Sequence, residues 1–307
     1  MNEHTPVVSV SMSVYNSARY LRDAIESILN QTFTDFEFLI IDDGSTDQSL
    51  KILQEYAAKD QRIWLNHREN RGIPQTRNEL LAQAKGEFVA VMDADDVALP
   101  DRLARQVSFL RQHPDVVCVG GCLDWIDEKG RLLGHCVMPE QDDEIQNFLV
   151  GGISLLHHPT TLVRRSALVA VDGYNESMVA SSDLDLWLRL GEIGRLANLS
   201  DTVLQYRLHS QSITHAKQMR QSQDALEACQ RAWKRRGIQG TFIRQPANHL
   251  NQPEFWLKCG WHGFINGQRD AARRCGIRAI ATQPGNVEAW KLLTCALIKP
   301  LPIATTP

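Results

Sequence analysis

The chain has 307 residues, 33 Lys+Arg against 36 Asp+Glu, a formal net charge of −3, and 43% hydrophobic with 22% charged residues; this composition excludes a disordered or fibrous chain and fits one large domain plus an appendage. No run reaches the roughly 18–20 apolar residues of a membrane-crossing helix, and Met-Asn-Glu-His-Thr-Pro at the start has no basic stretch ahead of an apolar one, so the expectation is a cytoplasmic protein. Seven cysteines from Cys118 to Cys295 include no Cys-x-x-Cys pair and no histidine at zinc spacing, which predicts reduced, packed thiols.

The first half alternates strand and helix. Strands are expected at 7–13, 36–41, 63–66, 88–92 and 116–119. Helices are expected at 20–30, where Leu21, Ala24, Ile25, Ile28 and Leu29 share a face, and at 47–58, 77–84 and 101–112. This rhythm predicts an α/β fold with right-handed crossovers and a mostly parallel sheet. Beyond Gly121 it changes. A hairpin is expected from Trp125-Ile126-Asp127 through Glu128-Lys129-Gly130 to 132–137, a strand at 160–163, a helix at 185–193 and a last strand at 202–206. From 216 to 299 the chain reads as helical, broken around 237–253 and at Pro284-Gly285-Asn286, with a faint tetratricopeptide flavour over 267–293 and a loose end at 301–307.

Two of the strands end in acids. Phe88 to Met92 runs into Asp93-Ala94-Asp95-Asp96, at the carboxyl edge where open α/β sheets bind ligands. Three carboxylates in four residues stay ionised together only with a cation or donors to balance them, and Asp-x-Asp suits Mg²⁺ or Mn²⁺ held jointly with substrate phosphates. The structural alternative is a helix cap at Asp96 or Asp101. The second strand ends in Asp42-Asp43-Gly44-Ser45-Thr46-Asp47, where Gly44 permits a tight turn and Asp42 or Asp43 offers acceptor oxygens to a ring N–H or ribose hydroxyls. Pure turn chemistry would use the same residues. Arg77 is placed to pair with a diphosphate or with the crevice acids. There is no Gly-x-Gly-x-x-Gly after the first strand and no P-loop, which disfavours dehydrogenases and P-loop enzymes.

Together these segments resemble inverting family 2 glycosyltransferases with a GT-A fold, a Rossmann-like nucleotide-diphosphosugar transferase fold found in bacterial polysaccharide assembly. The carrying residues are Val8-Ser9-Val10-Ser11-Met12-Ser13-Val14-Tyr15-Asn16, Ser27-Ile28-Leu29-Asn30-Gln31-Thr32-Phe33, Asp42 to Asp47, Asn78, Lys85-Gly86-Glu87 and Asp93 to Asp96. In the second half they are His158-Pro159-Thr160, Gly173-Tyr174-Asn175, Asp183-Leu184-Asp185-Leu186-Trp187-Leu188-Arg189-Leu190 and Tyr206-Arg207-Leu208-His209. The resemblance covers roughly 6–214. It implies a transferase domain at 1–214, with a nucleotide-binding half to about 121 and an acceptor half at 122–214, followed by a basic helical region at 215–307.

Carried over by position, the resemblance implies that Asp43 reads the base, usually uracil, with Asp42, Ser13 and Tyr15 in that pocket. Arg77 would lie along the nucleotide, Asp93 would reach the ribose or the metal's water, and Asp95 would bind Mn²⁺ or Mg²⁺. Asp183 matches the catalytic base, with a helix cap as its alternative reading and Asp185 as second candidate. Ser182 departs from the family's common Glu before this Asp. His209 lies where a loop closes on the diphosphate or metal in relatives, or is a plain surface histidine. His157 and His158 would border the acceptor cleft, Trp125 is the better sugar-stacking candidate, and Trp187, Trp256, Trp261 and Trp290 read as packing residues.

Charge is uneven, with 14 Lys+Arg against 5 Asp+Glu from His215 onward and 19 against 31 before it. A basic tail of this kind suits a phospholipid surface or a polyprenyl-diphosphate-linked acceptor ahead of nucleic acid. The expected partners are a nucleotide-sugar donor, probed at the strand ends, and a glycan or lipid-linked acceptor at the inner face of the membrane. A catalytically inactive sugar-nucleotide-binding scaffold and a nucleotidyltransferase are the alternatives. The latter would want a Gly-rich loop and a lysine near the first strand, and Ser11 to Arg19 offers neither.

Overall fold

The computed structural model describes residues 4–209, 218–240, 242 and 253–299. Val8, Val10, Met12 and Val14 are fully buried, with Ser11 and Ser13 partly exposed between them; this alternation makes β1 (Val8–Val14) a central strand. Its neighbours are β2 (Phe36–Asp42) and β4 (Phe88–Asp93), and β3 (Ile63–His67) lies beyond β2. All pair in parallel, so each connection must cross over a face of the sheet. The crossovers are α1 (Leu21–Leu29), α2 (Ser49–Ala57) and α3 (Ile73–Gln83). Register places Val14 opposite Asp42 and Ser13 opposite Asp93, so the acids at the ends of β2 and β4 flank the end of β1. Helix α3 starts at Ile73, four residues before the expected 77, because Pro74 fits a first turn that needs no N–H from it.

The chain continues through β5 (Val97–Ala98), α4 (Arg102–Gln112), β6 (Val116–Ile126), β7 (Leu132–Cys136), α5 (Asp142–Val150), a 3₁₀ turn at His158–Thr160, β8 (Leu162–Arg164), α6 (Arg165–Ala170), α7 (Ser182–Leu190) and β9 (Arg195–Arg207). Strand order is β3-β2-β1-β4-β8-β6-β9-β5, with β7 on β6. Strand β8 runs antiparallel to β4 and β6, and β7 antiparallel to β6. The sheet is therefore mixed: parallel from β3 to β4, with antiparallel pairs added beyond β4. Strand β6 runs on to Ile126 through Gly120-Gly121, where the sequence reading stops it at 119. A Cβ on Gly120 would stand 2.3 Å from Asn198 Oδ1 and one on Gly121 2.9 Å from the Val203 methyls, so these glycines serve close approach rather than a turn.

Among the described residues four helices follow: α8 (Gln218–Arg235), α9 (Pro253–Ile265), α10 (Arg269–Thr282) and α11 (Val287–Ile298). The expected loose end at 301–307 and most of the expected break at 237–253 lie outside the described residues. The chain divides into two compact units. In the described residues, the first holds 4–122, 138–204, 218–240 and 242, and the second holds 123–137, 205–209 and 253–299. Within the first, Ala225, Ala228, Cys229 and Ala232 of α8 sit in one core with Leu149, Leu184, Leu186, Trp187 and Leu188. Small residues on one face let a helix approach that core closely. In the second, the hairpin of β7 is tied to α10 by Arg274 Nε donating to Leu132 O at 3.2 Å and Cys275 Sγ to Leu133 O at 3.0 Å. All seven cysteines are free thiols, six of them buried, and burial pushes Cys259 and Cys275 up to about 12. Among the described residues, no helix is long and apolar enough to cross a membrane.

Candidate active site

The turns after β1 and β2 are fastened to one another. Asp43 N–H donates to Val14 O at 2.7 Å, Thr46 N–H to Asn16 Oδ1 at 2.8 Å, Asn16 N–H to Ser45 Oγ at 2.9 Å and Ala18 N–H to Asp47 Oδ2 at 3.1 Å. Asn16 accepts a left-handed φ of 49° to do so, a conformation that asparagine tolerates better than most residues. Ser13 and Tyr15 line this end of β1, Tyr15 with half its surface exposed.

The two adjacent carboxylates here have different fates. Asp43 accepts the backbone N–H groups of Arg71 and Gly72 at 2.9 and 3.0 Å and pairs with Arg68, whose Nε also reaches Glu79 at 2.7 Å. Each carboxylate oxygen has two lone pairs, and the Gly72 contact leaves acceptor capacity on Oδ2. Asp42 is fully buried; its oxygens take the Ser45 hydroxyl and amide and His67 Nδ1 at 2.7 Å. The expectation that Asp42 lines the nucleotide pocket is therefore corrected: it anchors the turn from beneath.

At the end of β4, Asp93 and Asp95 are partly exposed and Asp96 is buried. Arg77 on α3 stands 3.5 Å from Asp93 and lies over the Tyr174 ring at 5.5 Å. Burial raises the Asp93 carboxyl to about 6, Arg77 pulling it down while Asp95 and Asp183 push it up. A second guanidinium lies underneath. Arg102 is fully buried, donates to Val91 O at 2.8 Å and Thr161 O at 3.1 Å, and is lowered to about 10 by burial against the raising charges of Asp96 and Asp93. Asp101, at the N-cap position of α4, makes no capping bond with its side chain and instead accepts the Thr32 hydroxyl at 3.0 Å.

Helix α7 begins at Ser182, three residues before the expected start, which puts Asp183 in its first turn. Asp183 is partly exposed and one of its oxygens accepts the Leu184 N–H at 2.9 Å. Asp185, the other candidate, is buried and spent on Arg189 at 2.7 Å. The Gly173-Tyr174 segment links this region to α3: Asn78 Nδ2 donates to Tyr174 O and Tyr174 N–H to Asn78 Oδ1, both at 2.8 Å. His158, expected beside the acceptor, is buried instead, Nε2 2.9 Å from the Tyr174 hydroxyl and its ring 5.8 Å from Trp187. Burial, then the charges of Arg77 and Arg102, hold it well below the usual imidazole range. Trp125 is likewise buried, edge-on to Tyr206 at 5.1 Å and Phe255 at 5.6 Å, so it packs the second unit rather than offering a face to a sugar. His209 follows β9 in that same unit and is partly buried.

Among the described residues, no three His, Cys, Asp or Glu side chains converge to cage a metal ion. Two partly exposed carboxylates, one of them raised by burial and then by its acidic neighbours, nevertheless form a hard-oxygen donor set that fits a divalent cation shared with phosphate oxygens. The residues that sequence reasoning missed are Arg68, which holds Asp43, and Arg102, which underlies the acids; Tyr174, in the Gly173-Tyr174-Asn175 motif, supports Arg77. Arg68 lies 25 residues from Asp43, and no local motif announces either arginine.

Residues 9–171 match the family described as Glycosyl transferase family 2. An uncharacterized glycosyltransferase of Methanocaldococcus jannaschii is 34% identical over 209 residues, covering 66% of this chain and 71% of the relative. Chondroitin synthase of Escherichia coli is 28% identical over 252 residues, which is 81% of this chain but 36% of that longer protein. Among solved structures, a mannosyltransferase of Pyrobaculum calidifontis in complex with GDP-Man and Mn²⁺ superposes with a TM-score of 0.57 at 20% identity, over 97% of this chain and 82% of that one.

Proposed function

The chain belongs to glycosyl transferase family 2, and from that premise we propose that it moves one sugar from a nucleoside-diphosphate donor to a hydroxyl of a glycan or lipid-linked acceptor, with inversion at the anomeric carbon. The observation that carries this reading is that Arg77 on α3 stands 3.5 Å from Asp93 at the end of β4, with Asp95 and Asp183 near enough to act on the same carboxyl. A guanidinium, strand-end acids and a carboxylate at the start of a separate helix thus lie together.

In this reading Asp43 accepts an N–H from the base, a donor that both uracil and guanine present. Ser13 and Tyr15 flank it. Arg77, held by Asp93 and the Tyr174 ring, pairs with the diphosphate. Asp95 with Asp93 would hold Mn²⁺ or Mg²⁺, which when bound neutralises charge developing on the leaving diphosphate. Asp183 takes the proton from the acceptor hydroxyl. The acceptor oxygen bonds to the anomeric carbon as the bond from that carbon to the diphosphate breaks on the opposite side, the electron pair leaving with the diphosphate. The basic excess after His215 supports a lipid-diphosphate acceptor at the inner membrane face, and the chondroitin synthase relationship supports a growing polysaccharide. Asp183→Asn should lower kcat by about 10² to 10⁴ while nucleotide affinity stays unchanged, and proton NMR of the product should show the inverted anomer. Wild-type turnover in Asp183→Asn would remove the base from the proposal.

A further inference from the structure

Helix α8 lies beyond the residues that match the family and begins after the expected end of the transferase domain, yet it grips the segment that delivers Asp183. Ser181 occupies the N-cap position of α7 but makes no capping bond with its side chain; its hydroxyl donates to Gln221 O at 3.0 Å. The Ala180 N–H donates to Asp224 Oδ2 at 2.9 Å. The other oxygen of Asp224 accepts Arg220 Nε at 2.8 Å, and Arg220 reaches back to Ser177 O at 3.4 Å. Residues 220, 221 and 224 share one face of α8, so a single turn of that helix holds the chain at 177, 180 and 181.

Asp224 is 2% exposed. Burying a carboxylate is costly unless charge and hydrogen bonds compensate it, and here both partners bear on the approach to α7 or on α8 itself. Ala225, Ala228, Cys229 and Ala232, on the neighbouring face, already fix α8 to the core by packing, so anchoring the helix does not require the acid. What Asp224 adds is the position of the Ala180 amide, three residues before Asp183. We propose that Asp224 is a positioning residue for Asp183, setting the first turn of α7 so that the free carboxylate oxygen faces the acceptor hydroxyl. This inference rests on the reading of Asp183 as the base.

The test compares the full chain with Asp224→Ala, Asp224→Asn and Asp183→Asn. Turnover is read as UDP or GDP released from UDP-N-acetylglucosamine, UDP-glucose and GDP-mannose with Mn²⁺, and local order as hydrogen exchange at the Ala180 amide. Asp224→Ala should lower kcat by about 10- to 100-fold, the scale of a small misplacement of a reacting group, with KM for the sugar nucleotide unchanged and the Ala180 amide exchanging faster. Asp224→Asn keeps an oxygen for that amide and should restore most of kcat. Wild-type kcat in Asp224→Ala, with Asp183→Asn inactive, would overturn the positioning role alone, as would equal loss in the Ala and Asn variants. Wild-type turnover in Asp183→Asn would overturn the base reading and this inference with it.

Discussion

Gly44 shows how a single backbone position serves the nucleotide end of the site. Its φ of +79° belongs to the left-handed region, and a Cβ there would lie 2.8 Å from the Asn70 amide nitrogen. Both the conformation and the space exclude a side chain, because Asp43 has drawn the 68–72 segment over the turn through Arg68 and the amides of Arg71 and Gly72. Gly44→Ala should therefore cost about 1–3 kcal/mol of stability, read as a lower urea midpoint, and should weaken nucleotide binding because the displaced strand carries the contacts of Asp43. A stability equal to wild type would mean that the turn relaxes without strain. The acids of β4 follow the same logic of compensation. Arg102 beneath and Arg77 beside them spread positive charge through the cluster, which lets two carboxylates remain near the surface for a ligand.

At the scale of elements, the 3₁₀ turn at His158–Thr160 carries a testable pH dependence. Burial lowers His157 to about 4 and holds His158 well below its ordinary 6.5. Between about pH 6.5 and pH 4 the unfolded chain binds protons at these histidines that the folded chain does not, so stability falls as pH drops through that window and is unaffected by them above it. His158→Gln keeps a partner for the Tyr174 hydroxyl but cannot protonate; the gap in urea midpoint between pH 7.5 and pH 5 should shrink. An unchanged gap would place the acid sensitivity in the carboxylates. Much of the element pattern was legible in the sequence, because β1, β2 and β4 are apolar runs ending in acids and α1 has one apolar face. Strand β6 was cut short since Gly120-Gly121 imitates a turn, and its true role depends on Asn198 and Val203, some eighty residues away. Helix α7 starts before the expected 185 because Asp183 reads as a cap in the sequence, whereas the N-cap position falls on Ser181, which is held from α8. The strand-end acids, Arg77 and Asp183 stand out in the sequence by local pattern and family resemblance. The burial of Trp125, His158 and Asp42 was not, since burial is set by tertiary neighbours.

At the scale of the molecule, the acidic amino-terminal part and the basic carboxyl-terminal part do not coincide with the compact units, because α8 packs with the first. A chain ending at residue 242 should unfold cooperatively, while one ending at 214 should lose that cooperativity, its core around Leu184 and Trp187 laid open; equal behaviour in calorimetry would show that α8 is dispensable to the core. The proposed donor site is built from Asp43, Arg77, Asp93 and Asp95. Its most direct test is the melting temperature of the full chain with UDP-, GDP- and CDP-linked sugars, each with and without Mn²⁺, in wild type and Asp95→Asn. A ligand at 100 times its Kd stabilises by about 2.7 kcal/mol, so the account predicts a clear upward shift with one nucleotide family, dependent on Mn²⁺ and lost in Asp95→Asn. No shift with any sugar nucleotide, or a shift that Asp95→Asn leaves intact, would contradict it.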